Sequence, residues 1–282
     1  MSHLTPIGRE GVRSAGGGLC NRPGGLVVPE AAFVRLAIDH GIARIVLDRP
    51  PLNILTMAVM GELEDAIRRA EAAPTTRAIV LSARGRAFSA GVDVGEHTGE
   101  TAGQMLAAFH SLCRTLVSTD VPTVAAVGGP ALGGGCELVA LCDIVVAAEG
   151  ATFGQPEIRV GVFPPAAAAA FPFLLGKAGL APLLLGEPLP AARARELGLV
   201  TTVVPPAELD AAVERVAQQL AGTSAAVLRL TKRAALAGFR RWFDDALTQA
   251  ERIYLADLMA TADAHEGLAA FLERRAPAWQ HR

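Results

Sequence analysis

A chain of 282 residues that is 51% hydrophobic and 19% charged has ample material for a large core and little sign of extended disorder. Its net charge of −2 supplies no general attraction to nucleic acid or to acidic membranes. Pro, Gly or a charge interrupts each apolar stretch before it reaches membrane-spanning length, so a soluble, cytoplasmic protein is expected.

Residues 1–30 contain Gly16-Gly17-Gly18 and Gly24-Gly25, without periodicity or the apolar core of a signal peptide. Arg9, Arg13 and Arg22 hint at an organellar transit peptide, but Glu10 and the glycines oppose a good amphipathic helix. A flexible extension is the expectation. From Phe33 the pattern becomes ordered. Residues 33–38 alternate, a turn falls at His40-Gly41, and 42–47 alternate again, which reads as a hairpin. Met60, Leu63 and Ile67 mark a helix over 56–72. Residues 78–82 form a buried strand, and Met105, Leu106, Phe109, Leu112 and Leu116 mark a helix over 102–118. A strand at 123–128, a glycine-led helix at 134–142 and a strand at 144–148 follow.

Strands alternating with helices predict a layered α/β core, assigned here to residues 31–206. No strand pattern appears after about Val204. Residues 207–282 read as a helical region, with Leu209, Val213, Val216 and Leu220 in register and further helices near 224–237, 241–261 and 264–275. Asp263 and Glu266 are spaced as a capping box for the last.

Two segments carry chemistry. Gly133-Gly134-Gly135-Cys136-Glu137-Leu138 follows an apolar strand and opens an apolar helix. The first amides of a helix have no intrahelical partner, so the positive end of its dipole faces whatever lies over Gly134. Glu137 projects from nearly the same face one turn on. An acid or base beside free amides is what enolate chemistry next to a carbonyl requires. The second segment, Gly154-Gln155-Pro156-Glu157-Ile158, supplies another carboxylate among apolar neighbours, where desolvation and a like charge raise a carboxyl pKa toward neutrality. The four cysteines, Cys20, Cys113, Cys136 and Cys142, form no CxxC pair and suggest no zinc site; reduced thiols are expected, with Cys136 a small apolar helix residue.

Residues 131–138, with Phe153-Gly154-Gln155-Pro156-Glu157-Ile158 and the earlier Ala87-Phe88-Ser89-Ala90-Gly91-Val92-Asp93-Val94, resemble the crotonase superfamily, the enoyl-CoA hydratases and isomerases. The resemblance runs from about Phe33 to the C-terminus and includes the tail over 266–277. It implies a spiral of ββα units and a C-terminal helical region that packs trimers, or a dimer of trimers. It also implies that the amides of Val92 and Gly134 form an oxyanion hole for a thioester carbonyl. Glu137 and Glu157 would hold a water between them, one activating it for attack at C3 and the other protonating C2 in a syn addition. Ala90, Gly91, Asp93 and Gly133 would bind the acyl-CoA substrate. No metal or redox cofactor is implied, since CoA enters as part of the substrate.

One departure stands out. Hydratases of the family usually place a glycine, whose amide helps hold the water, where this chain has Pro165, which has no N–H. Gly161-Val162-Phe163, Pro165-Ala166-Ala167 and Glu96-His97 instead resemble cyclohexa-1,5-diene-1-carbonyl-CoA hydratases. His97, Glu96 and Glu100 lie in a polar stretch that reads as a solvated flap, and Lys232 and Arg233 as a solvated helix face within reach of CoA phosphates. The rival readings are an isomerase in which one glutamate shuttles the proton, and a silent scaffold or RNA-binding relative. Both glutamates being present favours hydration, and the absence of a basic excess disfavours RNA.

Overall fold

The computed structural model describes residues 32–97 and 101–282. The expected extension over 1–30, Cys20 and Glu100 lie outside the described residues.

The described residues open with β1 (Val34–Asp39) and β2 (Ile42–Leu47), an antiparallel hairpin pairing Leu36 with Ile45. His40 (φ 48) and Gly41 (φ 82) turn it in the left-handed region. α1 (Met57–Ala72) follows, capped by the Thr56 side chain, which accepts from Val59 N–H. Then come β3 (Ala78–Ala83), α2 (Thr101–Ser118), β4 (Thr123–Val127), β5 (Ala131–Leu132), α3 (Gly134–Ala140), β6 (Ile144–Ala148) and β7 (Thr152–Gly154). α4 (Pro165–Leu174), α5 (Leu180–Leu185), β8 (Leu189–Pro190), α6 (Ala191–Glu196) and β9 (Thr202–Val204) lead to α7 (Leu209–Ala221), α8 (Ala225–Arg252) and α9 (Ala262–Leu272).

The larger sheet has the order β1-β2-β3-β4-β6-β9, parallel from β2 onward. Such a sheet must be covered on both faces, and alternation along the strands meets that need. Ala43, Ile45, Leu47, Ile79 and Leu81 belong to the main core with α1 and α2. Ile42, Val80, Val124 and Val146 belong to a second apolar layer with Val213 and Ala217 of α7. A smaller sheet, β5-β7-β8, carries the segments on either side of the two glutamates. Its strands, of two or three residues, are too short to show a period in the sequence.

Two expectations about the helical region need correction. The helices expected near 224–237 and 241–261 are one, α8, running through Gly238 to Arg252 and then a π-helical turn, Ile253–Asp257. An interior glycine costs about 1 kcal/mol. Burying Phe239 and Phe243 on the same face offsets that, at about 1.5–3 kcal/mol for each side chain. The cap of α9 is Thr261, whose hydroxyl accepts from Ala264 N–H, and not an Asp263–Glu266 box. Asp263 accepts instead from the N–H groups of Gln280 and His281, and Glu266 pairs with Arg275.

The loop that leads to the site is braced by Asn53, which is 1% exposed and left-handed (φ 52). Its Nδ2 donates to the carbonyls of Arg84 (2.7 Å) and Ala87 (2.8 Å), while its own carbonyl accepts from Ser89 Oγ (2.7 Å). Ser89 Oγ in turn accepts from Gly91 N–H at 3.1 Å. Asn53→Ala leaves two carbonyls without their donor and should lower stability by about 2–4 kcal/mol, read as a lower urea midpoint at unchanged slope. A loss below about 0.5 kcal/mol would contradict this bracing role.

Candidate active site

A cavity of about 420 Å³ opens where the loop before α2, the start of α3, the turn after β7 and the start of α4 converge. Its walls are mainly apolar and aromatic: Met105, Leu106 and Phe109 of α2, Val162 and Phe163 before α4, and Leu268 of α9 among them. Ala90, Gly91, Val92, Gly133, Gly134, Glu137 and Glu157 all line it. Seven of the eight residues expected to form a site are thus brought together. The eighth, Asp93, is not part of the lining; its Oδ1 accepts from Gly95 N–H at 2.9 Å, and its carbonyl meets His97 Nδ1 at 2.9 Å.

Among the described residues the N–H groups of Val92 and Gly134 have no acceptor, for geometric reasons. Val92 bridges Leu55 in parallel, with Leu55 N–H bonding to Gly91 C=O and Asp93 N–H to Leu55 C=O. That pattern turns the N–H of Val92 itself away from Leu55. Gly134 is the first residue of α3 and has no intrahelical acceptor. The loops pack so closely that a Cβ on Gly134 would stand 2.8 Å from Val92 Cγ2 and 3.1 Å from Phe109 Cζ. Gly133, the N-cap of α3, adopts φ 50 and ψ −129, which only glycine accepts readily, and a Cβ there would overlap Glu157 Oε1.

The glutamates differ in their partners. Glu137 is 3% exposed, on the first turn of α3, and its Oε1 accepts from Ala167 N–H at 2.6 Å. Ala167 lies at the start of α4, where Pro165 takes the first position, which needs no N–H. The proline that departs from the usual family pattern thus starts a helix whose free amides face Glu137. Burial raises the Glu137 pKa, while the amides of Ala167 and Ala166 oppose the rise. Glu157 sits in a 3-10 turn, Pro156–Val160, and its Oε2 is buried with no partner among the described residues. Its pKa is raised by burial first and by the charge of Glu137 second. Glu137 is therefore the better carboxylate and Glu157 the better acid.

Several bland readings of the sequence change. His97 lines the cavity, half-buried, and burial lowers its pKa, which keeps the imidazole neutral. Glu96 is no free loop residue, since it accepts from Met57 N–H at 3.0 Å at the start of α1. Lys232 is 8% exposed, paired with Asp143 at 2.6 Å and donating to the Val121 carbonyl, and Arg233 is paired with Asp120; neither is an unengaged cation for a phosphate. Arg159 also lines the cavity, yet it makes no ion pair with Glu157. Cys136 and Cys142 are buried thiols held protonated by burial. Sequence reasoning missed Tyr254, which sits in the π-helical turn and lines the cavity. Its only signal in the sequence is that it is the single tyrosine.

The fold and this constellation define a crotonase-type chain, and comparison with known proteins agrees. The family model described as enoyl-CoA hydratase/isomerase matches residues 37–282, and the chain belongs to that family. Among similar proteins is a cyclohexa-1,5-dienecarbonyl-CoA hydratase of Thauera aromatica, 38% identical over 250 residues, which cover 88% of this chain and 96% of the relative. A probable enoyl-CoA hydratase of Mycobacterium bovis is 38% identical over 248 residues, 86% of this chain and 96% of the relative. The crystal structure of an enoyl-CoA hydratase from Mycobacterium avium subsp. paratuberculosis superposes with a TM-score of 0.80 at 31% identity, covering 88% of this chain and 99% of that one.

The contact between Gly133 and Glu157 gives a direct test of the geometry. Gly133→Ala should displace the Glu157 carboxyl and lower kcat by about 10²-fold or more. It should also cost about 1–3 kcal/mol of stability through the unfavourable φ. Unchanged kcat on the chain's own substrate would show that Glu157 does not need the position seen here.

Proposed function

We propose that this chain is an enoyl-CoA hydratase, a hydro-lyase adding water syn across the double bond of an α,β-unsaturated acyl-CoA. One observation carries the reading: the buried Glu137 carboxylate and Glu157, whose Oε2 is buried and unpaired among the described residues, share one apolar cavity with the backbone N–H groups of Val92 and Gly134. The thioester oxygen accepts from the N–H groups of Val92 and Gly134. Glu137, the more readily ionised of the two because the start of α4 opposes the effect of burial, takes a proton from water as its oxygen bonds to C3. The C2=C3 pair moves toward the carbonyl and the developing enolate charge is met by the two amides. Glu157 then gives its proton to C2. Glu137 ends protonated and Glu157 ionised, and proton exchange with the next water restores the pair.

Ala90, Gly91 and Gly133 would form the binding surface around the thioester, with Asp93 outside the lining and bonded to Gly95 and His97 of its own loop. Both glutamates facing one cavity supports hydration over a one-glutamate isomerase. The name of the Thauera relative makes the cyclic 1,5-dienoyl thioester a substrate to test beside a linear one. We further propose that residues 207–282 form an oligomerisation region packing a trimer, alone or as a dimer of trimers. Exposed Val227 and Leu230 on α8 support this. No helix of the described residues is long and apolar enough to cross a membrane, which agrees with a cytoplasmic enzyme.

Loss of the conjugated-thioester absorbance, with crotonyl-CoA and cyclohexa-1,5-diene-1-carbonyl-CoA supplied in turn, tests the activity. Wild type should consume at least one, and Glu137→Gln or Glu157→Gln should each lose about 10²–10⁴-fold in kcat. Consumption of neither thioester, or full activity without Glu137, would sink the hydratase reading. The rate should be bell-shaped in pH. It falls on the acid side as Glu137 takes up a proton and on the alkaline side as Glu157 loses its own.

The same raised pKa carries a stability consequence. A carboxyl whose pKa is higher folded than unfolded binds more protons in the native state, so stability falls as pH rises through that interval. Glu157→Gln removes this penalty. Its Tm should exceed that of wild type at pH 8 and the gap should shrink toward pH 4; a gap independent of pH would contradict the burial argument.

A further inference from the structure

Tyr254 is 1% exposed, and its phenolic oxygen is buried with no hydrogen-bond partner among the described residues. A buried hydroxyl left unpaired is costly, and such groups in a native fold call for an explanation. The ring is fixed edge-on against Phe163, with centroids 5.4 Å apart at 67°, and lines the same cavity as the two glutamates. It stands in a π-helical turn, an interruption that re-aims a side chain and recurs at functional sites. Burial first, and then the charges of Glu157 and Glu137, hold the phenol protonated, as an O–H donor. Glu157 Oε2, an acceptor in the same cavity, is likewise buried and unpaired.

A donor and an acceptor that line one cavity, each without a partner among the described residues, suit a water that bonds to both. With the Glu157 proton on the oxygen other than Oε2 and directed at C2, the water's two protons can go to Glu137 and to Glu157 Oε2, and one lone pair points at C3, which leaves one lone pair for a further donor. Pro164 and Pro165, which line the cavity at the start of α4, have no N–H to give, and the N–H groups of Ala167 and Ala166 are directed to Glu137. We propose that Tyr254 is a catalytic residue whose O–H holds the reacting water, and in the reverse direction the product hydroxyl, completing its coordination beside the two glutamates. This rests on the hydratase reading above.

Tyr254→Phe keeps the ring on Phe163 and removes only the donor. With whichever thioester wild type hydrates, kcat should fall about 10–10²-fold, while the Kd for the unreactive analogue butyryl-CoA should stay within about twofold. A kcat within about twofold of wild type, or a parallel loss of butyryl-CoA affinity, would overturn the role. Because Tyr254 is the only tyrosine, growth on 3-fluorotyrosine labels this site alone, without a substitution. In a Glu137→Gln background the fluorine resonance should move more with 3-hydroxybutyryl-CoA than with butyryl-CoA; equal shifts would show that the phenol does not meet the hydroxyl. Absence of hydration by wild type removes the parent reading and this one together. Hydration that depends on Glu137 but not on the Tyr254 hydroxyl removes this one alone.

Discussion

The 2.6 Å hydrogen bond from Ala167 N–H to Glu137 Oε1 is the contact on which the rest of the site depends. A carboxylate stripped of water in an apolar cavity ordinarily neutralises itself by keeping its proton. Here the first free amides of α4 give one of the two glutamates a reason to stay ionised. The other is raised by burial first and by the first one's charge second, opposed only by its own backbone, so it is the one favoured to keep a proton. In the proposed reaction two residues of the same type thereby take different roles from their surroundings, a general route to acid–base chemistry near neutral pH. Removing Glu137's amide partner would make the pair more alike, not merely weaker.

The larger fold serves that contact. The parallel sheet delivers the Val92 loop and the start of α3 to one side, and the bridges Leu55–Val92 and Ser89–Ala131 hold them in register. Asn53 fastens the first of these from the hairpin side. The short second sheet carries the Glu157 turn across to Gly133. α8 and its π-helical extension bring Tyr254 in from the far end of the sequence, with α9 closing the wall through Leu268 and Phe271.

Much of this was legible in the sequence, for identifiable reasons. Alternation marked the hairpin, a continuous apolar run marked β3, and helical spacing marked α1, α2 and α7. Glycines at 133–135 marked the helix start because the close approach to Val92 excludes a Cβ at 134. The illegible parts are those set by distant contacts. Pro164-Pro165 before an alanine run shows no amphipathic period, so α4 and its amides could not be read from pattern. Gly238 looked like a break because the burial of Phe239 and Phe243 that overrides it belongs to packing against α4. Lys232 looked solvated because its partner Asp143 is far away in sequence. Glu96 and Asp263 were misread for the same reason: each caps backbone on another segment.

Infrared difference spectroscopy of the carboxyl carbonyl stretch at neutral pH tests the division of labour most directly. A protonated-carboxyl band should be present in wild type, absent from Glu157→Gln and retained, with altered frequency, in Glu137→Gln. A band that vanishes with Glu137→Gln and survives Glu157→Gln would place the proton on the wrong residue and contradict the account.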